Sequence, residues 1–400
     1  MNYAMVLHHF WNRPGGGEVV CASTACTFEY IGYLPVLASP ITIEVEEYPV
    51  WFGLDLTRYP KYSWNIKLRA FGIYLRLLLG YVGVKAIKKF NPEIVFVDSA
   101  TYSVMINECR NRNIKLIEYI HYPFEAFEIE DPYIKERYSK FPLNIYWKLF
   151  TKILPHYIRS NPFEIASLVL ANSIWTADIV KEIYNEKPIV LNPPLPPNVK
   201  IIENLNPFEN RNNIIIMVGR FSEEKRYHWV LESVIYKLRK EIENVKLYIF
   251  GGTKTRSSIY YLSKLKNIAL KNGFKVSDNL NINADIYLIS NAPRSIINHI
   301  VNKAKVFFHA TINEHWGISV AEAMARGLPV VVHKSGGTWS DLVDNGKYGS
   351  GYTTAEEAIE LLAKTITDNI IWKKYSVAGI NKAKQLTLDK YINNFHAILQ

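Results

Sequence analysis

The chain has 400 residues, of which 48% are hydrophobic and 21% charged, and it carries a formal charge of +10. That length exceeds the size at which one hydrophobic core stops growing, so two domains are expected, and the composition is that of a globular rather than a disordered chain. The excess of cations calls for an acidic partner, whether a nucleotide diphosphate, a lipid phosphate, an anionic membrane or a nucleic acid, and charge alone does not choose among them.

The first residues, MNYAMVLHHFWNRPGGG, lack a basic start followed by an apolar run, so no signal peptide is expected. YAMVLHH reads as a strand leading into Gly15, Gly16 and Gly17, with His8 and His9 beside them, where either could face a crevice. Cys21, Cys26 and Cys109 are odd in number and lack metal-like spacing, which favours a reducing compartment and roles as small apolar residues. The most apolar window, FGIYLRLLLGYVGV from Phe71, is interrupted by Arg76 and is too short to span a bilayer. It lies in a basic-aromatic stretch from Trp64 in which Lys67, Lys85, Lys88 and Lys89 share a helical arc while Arg69 and Arg76 fall opposite, so the stretch is not cleanly amphipathic.

EIVFVD ends at Asp98, which reads as a site carboxylate or, equally, as a helix N-cap. IKLIEYI ends at His121, and Pro123 biases the chain there toward an extended or turning path. A second basic-aromatic stretch, Tyr133 to Arg159, holds Lys140, Tyr146, Trp147, Lys148 and Lys152; it suits a membrane interface, or a packed helix with snorkelling cations.

SLVLAN and IVLN precede NPPLPPN, from Asn192 to Asn198, whose prolines can continue neither a helix nor a central strand. NIIIMVG, VKLYIF, ADIYLIS and KVFFHA follow it. Strands alternating with helical stretches indicate parallel sheets, and continuous apolar runs are strands buried on both faces. The expected class is α/β, with Rossmann-like domains over 1–195 and 196–375 and a helical tail over 376–400.

The segment from His309 to Val343 reads as strand end, polar loop, helix, buried strand and Gly-Gly turn. Gly317 lets backbone approach a ligand where the helix begins, and the free N–H groups of that helix end attract phosphate. Glu322 falls in the early turns, where a carboxylate can accept hydrogen bonds from paired ribose hydroxyls, and Glu314 lies before the helix at the other end of the same ligand. Arg220 and Lys225 follow the strand NIIIMVG and can neutralise a diphosphate, with Arg226 the nearby substitute for Lys225. His309, His315 and His333 stand near this segment without zinc-like partner spacing.

Glu314 and Glu322 with the intervening HWGISVA resemble the E-x7-E signature of retaining family 4 glycosyltransferases, and GLPVVVHKSGG resembles the segment that follows it there. In the same order, HHFWNRPGGGEVV resembles the family's glycine-rich loop, IEYIHYPFE the strand end with the active-site histidine, and VGRFSEEKR the paired-cation loop. HYP, GGGE, NSIWT and NEHWGISVAEAMA together resemble mannosyltransferases that extend lipid-linked oligosaccharides on the cytoplasmic side of a membrane. One departure is Val19, where relatives with a similar glycine loop usually carry a basic residue.

The resemblance implies the GT-B arrangement: two Rossmann-like domains with parallel sheets facing an inter-domain cleft, the first for acceptor and the second for nucleotide sugar, and a C-terminal helix crossing back to the first. It implies transfer of a hexose, with mannose from GDP-mannose favoured, by His121, Glu314, Arg220 and Lys225. Donor contacts would come from Gly16, Gly17, Gly219, His315, Trp316, Gly317, Ile318 and Glu322, with neither metal nor cofactor. The acceptor would be a lipid-linked saccharide, met at the cytoplasmic face of an anionic membrane by Lys140, Trp147, Lys148 and Lys152. The alternatives are a UDP-glucose-dependent glucosyltransferase of the same fold and a basic, non-catalytic nucleic-acid or membrane-binding protein. The placed glutamates disfavour a nucleic-acid partner, because a phosphate-tracking groove gains nothing from carboxylates beside it.

Overall fold

A computed structural model describes residues 2–66, 72–98, 100, 102–123, 126, 138–153, 156, 158 and 161–400. Lys67, Arg69, Phe71, Arg159 and the part of the second basic-aromatic stretch before residue 138 lie outside them. The chain forms two compact units, Met1–Val199 with Leu386–Gln400, and Lys200–Gln385. The break thus falls at Val199, just past the proline-rich segment, and the chain returns to the first unit at Leu386 rather than at residue 376.

In the first unit, β1 (Tyr3–Leu7), β2 (Leu34–Ile41), β3 (Lys61–Ile66), β4 (Ile94–Val97), β5 (Lys115–Ile120), β6 (Leu168–Ala171) and β7 (Ile189–Val190) form one sheet. Its order is β3-β2-β1-β4-β5-β6-β7 with every pairing parallel. Parallel neighbours need crossovers, and these include α1 (Gly16–Tyr30), α2 (Gly72–Phe90), α3 (Ser103–Asn111), α4 (Leu143–Ile153) and α5 (Ile174–Tyr184). The continuous apolar strands are buried as a sheet covered on both faces requires, and α2 is itself a core helix through Leu75, Leu77, Leu79, Val82, Ala86 and Ile87.

The second unit repeats the plan with β8 (Ile214–Val218), β9 (Lys246–Gly251), β10 (Val276–Ser277), β11 (Ile286–Ser290), β12 (Val306–His309), β13 (Val330–His333) and β14 (Ser350–Tyr352). The order is β10-β11-β9-β8-β12-β13-β14, again parallel throughout. Its helices include α6 (Arg256–Lys271), α7 (Arg294–Lys303), α8 (Ile318–Ala325), α9 (Ala355–Thr367) and α10 (Asn369–Ala383).

The last helix, α11 (Leu388–Leu399), belongs to the first unit and packs against α1. Phe395 is fully buried between Phe28 and Phe96, a burial that stabilises by about 1.5–3 kcal/mol. The hydroxyls of Thr24 and Tyr391 bond at 2.9 Å. No helix among the described residues is long and apolar enough to cross a membrane.

Candidate active site

Ligands of open parallel sheets gather at the carboxyl ends of the strands, where the strand order turns back. In the first unit that point lies between β1 and β4, and three polar side chains leave neighbouring strands there: His8 after β1, Asp98 after β4 and His121 after β5. The Nδ1–H of His8 donates to Asp98 Oδ2 at 2.6 Å, with both side chains buried. Burial pushes the His8 imidazole down, but Asp98 together with Cys21 outweighs it and holds the ring well above its usual range. Burial likewise opposes the Asp98 charge, yet His8 and His121 hold that carboxyl well below the usual carboxylate range. The two form an imidazolium–carboxylate pair.

His121 Nε2 stands 3.5 Å from the same Oδ2, too far for a strong hydrogen bond, and has no hydrogen-bond partner among the described residues. Glu18 brings its carboxylate within 3.2 Å of Arg13 Nε and 3.9 Å of His8 Nε2. Burial pushes the Cys21 thiol up to about 12, so beside His8 and Asp98 it remains a neutral thiol.

Two expectations change here. Gly16 and Gly17 are not a loop; they open α1, with Gly15 as its extended N-cap residue and Glu18 complementing the positive end of the helix. A Cβ on Gly17 would stand 3.6 Å from His121 Nε2 and 3.7 Å from Asp98 Oδ2, so this glycine leaves the space between the helix and the two side chains open. Asp98 does not cap α3, whose N-cap residue is Tyr102, because its carboxylate is drawn across the sheet to His8. His9 lies beside the cluster with its imidazole pushed well below its usual range by burial.

In the second unit the order turns back between β8 and β12, and Gly219, Arg220 and Lys225 follow the first while Glu314 follows the second. Lys225 Nζ donates to Glu314 Oε2 at 2.5 Å, and His309, the last residue of β12, faces the same oxygen at 3.1 Å. Burial pushes the Glu314 carboxyl up, but Lys225 and His309 hold it well below the usual range. Burial also pushes His309 down, so the ring is neutral and donates its Nε2–H. Glu314 is therefore an oriented, ionised carboxylate at neutral pH.

Arg220 is exposed and pairs with Glu224 at 2.8 Å. Arg226 is no substitute for Lys225: its backbone is left-handed at φ 52°, and its guanidinium donates to Ala310 O at 3.2 Å and lies over the Trp229 ring.

Gly317, at φ 93°, is the N-cap residue of α8, whose first turn follows with His315 and Ile318 half-buried beside it. Trp316 is buried, and its indole N–H has no partner among the described residues. Gly336, at φ 72°, is where the Gly-Gly turn grips the site, since a Cβ there would lie 2.3 Å from Glu314 O and 2.7 Å from Glu314 N. Glu322, within α8, receives a fork from Arg294, the first residue of α7: Nη2 to Oε1 and Nη1 to Oε2, both at 3.2 Å. Such a bidentate clamp fixes the carboxylate plane.

In α4, Lys148 and Lys152 are exposed, as is Lys140 ahead of the helix. Trp147 turns inward instead, with its ring 4.8 Å from that of Tyr138 and 5.8 Å from that of Phe150.

Residues 199–385, nearly the whole second unit, match the family described as glycosyl transferases group 1. The chain is 26% identical over 414 residues to the GDP-Man:Man(3)GlcNAc(2)-PP-Dol alpha-1,2-mannosyltransferase of Caenorhabditis elegans, covering 91% of this chain and 83% of that protein. Proteins of the same name are 24% identical over 237 residues in Eremothecium gossypii and over 302 residues in Dictyostelium discoideum. Those matches cover 58% and 70% of this chain but only 39% and 58% of the two relatives, less than two thirds of either. Among solved structures, a glycosyltransferase from Rickettsia africae ESF-5 is similar with a TM-score of 0.70 at 18% identity, over 100% of this chain and 98% of that one. WaaG, a glycosyltransferase involved in lipopolysaccharide biosynthesis, is similar with a TM-score of 0.69 at 15% identity, over 99% of each chain.

Two seven-stranded parallel sheets, each with its helices, and these likenesses define the fold as GT-B. The second unit is a glycosyl transferases group 1 domain.

Proposed function

We propose that the protein is a retaining glycosyltransferase that moves mannose from GDP-mannose to a lipid-linked glycan acceptor. The observation that carries this reading is the ionised Glu314, held by Lys225 and His309 beside the glycine-opened start of α8. Mannose and the lipid-linked acceptor are supported by the names of the relatives.

In this reading the second unit holds the donor. Glu322, oriented by Arg294, accepts hydrogen bonds from the ribose hydroxyls, and the first-turn N–H groups of α8 face the diphosphate. Gly219, His315, Trp316, Gly317 and Ile318 line the donor, and Glu314 holds the hexose. As the anomeric C–O bond breaks, its electron pair goes to the diphosphate, which Lys225 and Arg220 stabilise. The diphosphate takes the proton of the incoming hydroxyl on the same face of the sugar, so configuration is retained without a covalent glycosyl-enzyme. Stabilising that developing charge is the largest expected contribution. The first unit takes the acceptor, while His121 keeps the catalytic role, and Gly17 the donor contact, that the resemblance implies.

Melting curves with a panel of nucleotide sugars test the donor, since a ligand of the native state at a hundredfold excess over Kd adds about 2.7 kcal/mol. GDP-mannose and GDP are expected to raise the melting temperature, and a response confined to UDP-glucose would overturn the choice of donor. Glu322→Ala should weaken GDP binding by about 1.5–3 kcal/mol, the worth of a charge-assisted hydrogen bond, and Arg294→Ala by less. Glu314→Ala should lower turnover while sparing GDP affinity. Equal GDP affinities in Glu322→Ala and the parent would refute the ribose role.

A further inference from the structure

An amphipathic helix on a protein surface ordinarily turns its apolar face to the core and polar groups to water. The inward face of α4 obeys this: Phe150 is buried, and Trp147 and Ile153 pack against the same core. The outward face does not. Phe141, just ahead of the helix, and Ile145 and Leu149 within it follow one another at helical spacing and are 79%, 50% and 50% exposed. A single exposed apolar side chain needs no explanation, but three aligned along one face form a patch of the kind that marks an interaction surface.

The charges around the stripe narrow its partner. Lys148 and Lys152 share the outward face, Lys140 precedes it, and the sequence from Tyr138 to Ile153 contains no aspartate or glutamate. A second copy meeting this face symmetrically would set these lysines against their own counterparts. An anionic lipid surface accepts both halves of the pattern: apolar side chains enter the boundary between headgroups and acyl chains, while lysines lay their stems along it and keep their ammonium groups among phosphates.

We propose that the outward face of α4 is a seat for an anionic lipid bilayer, entered by Phe141, Ile145 and Leu149 and steered by Lys140, Lys148 and Lys152. With eleven residues the helix lies on the surface and does not cross it. This inference deepens the lipid-linked acceptor reading, but it rests on the stripe itself, and vesicle binding without any sugar nucleotide tests it separately from donor chemistry.

The test is co-sedimentation of the full chain with phosphatidylcholine vesicles, with and without phosphatidylglycerol, at low and high salt. The parent should pellet with the anionic vesicles at low salt. Replacing the three lysines by glutamine should weaken that binding about fivefold per residue, roughly a hundredfold in all, and remove its salt dependence. Phe141→Ser with Ile145→Ser and Leu149→Ser should abolish pelleting and lower the melting temperature only slightly, because half or more of each side chain is already in solvent. The proposal is overturned if the parent stays in the supernatant at low salt, or if the lysine and serine variants both pellet like the parent. It is equally overturned if the parent is a dimer that the serine variant turns into a monomer, since the stripe would then be covered by a second copy.

Discussion

Replacing Asp98 by asparagine keeps the shape of the side chain and removes the charge that holds His8 protonated. The two groups are 2.6 Å apart with side chains only 2% and 3% exposed, so solvent screens them little. Removing one partner of a buried pair typically costs about 3–5 kcal/mol. His8 can discharge rather than remain stranded, which puts the expected loss at the bottom of that range, about 3 kcal/mol. For a domain of this size each 1 kcal/mol moves the melting temperature by about 2–4 °C, so the first unit should melt roughly 6–12 °C lower.

The pH dependence identifies the cause. His8 is raised in the folded state, so its contribution is complete below the unfolded value of about 6.5 and is lost as pH rises through the folded one. Asp98 is depressed, so its contribution is present above about 3.9 and is lost as pH falls through the folded value. The deficit of Asp98→Asn should therefore be largest between roughly pH 4 and 6.5 and should shrink on either side. Scanning calorimetry across pH measures it, with the melting of the second unit as an internal reference. A deficit of constant size at every pH, or no deficit, would refute the ion pair.

Lys225→Ala should lower the melting temperature of the second unit, because Glu314 keeps His309 alone as a partner. Adding Glu314→Gln should recover much of that stability without recovering transfer, with a coupling of about 1–3 kcal/mol in the double-mutant cycle; a double variant no more stable than Lys225→Ala would dissolve the pair. Gly336→Ala should destabilise by about 1–3 kcal/mol from overpacking and roughly 1 kcal/mol more from its left-handed backbone. Urea unfolding measures this, and an unchanged midpoint would show that the turn does not grip Glu314.

Runs such as EIVFVD, IKLIEYI, NIIIMVG and KVFFHA read as buried parallel strands and become β4, β5, β8 and β12, because a strand covered on both faces is apolar at every position. LPVLASPI does not read that way. Pro35 and Pro40 remove donors and speak against a strand, yet the segment pairs on both sides as β2, and only its neighbours make it one. The loop-and-helix pattern around Glu314, Gly317 and Glu322 is legible because its spacing is local. The groups that orient it are not: Arg294 reaches Glu322 across 28 positions, and Asp98 reaches His8 across 90. Nothing in the pattern near His8 and His9 tells which of two adjacent histidines will turn toward such a distant partner.

The return of α11 to the first unit separates the order of synthesis from the order of completion. A chain made from its amino end has every residue of the second unit before it has Tyr391 and Phe395, so the domain that begins first is finished last. Until then Phe28 and Phe96 lack the ring that lies between them in the finished protein. A chain halted near residue 385 would carry a complete second domain on a first one with an open apolar seam, a form prone to aggregate and ready for recognition by chaperones or proteases.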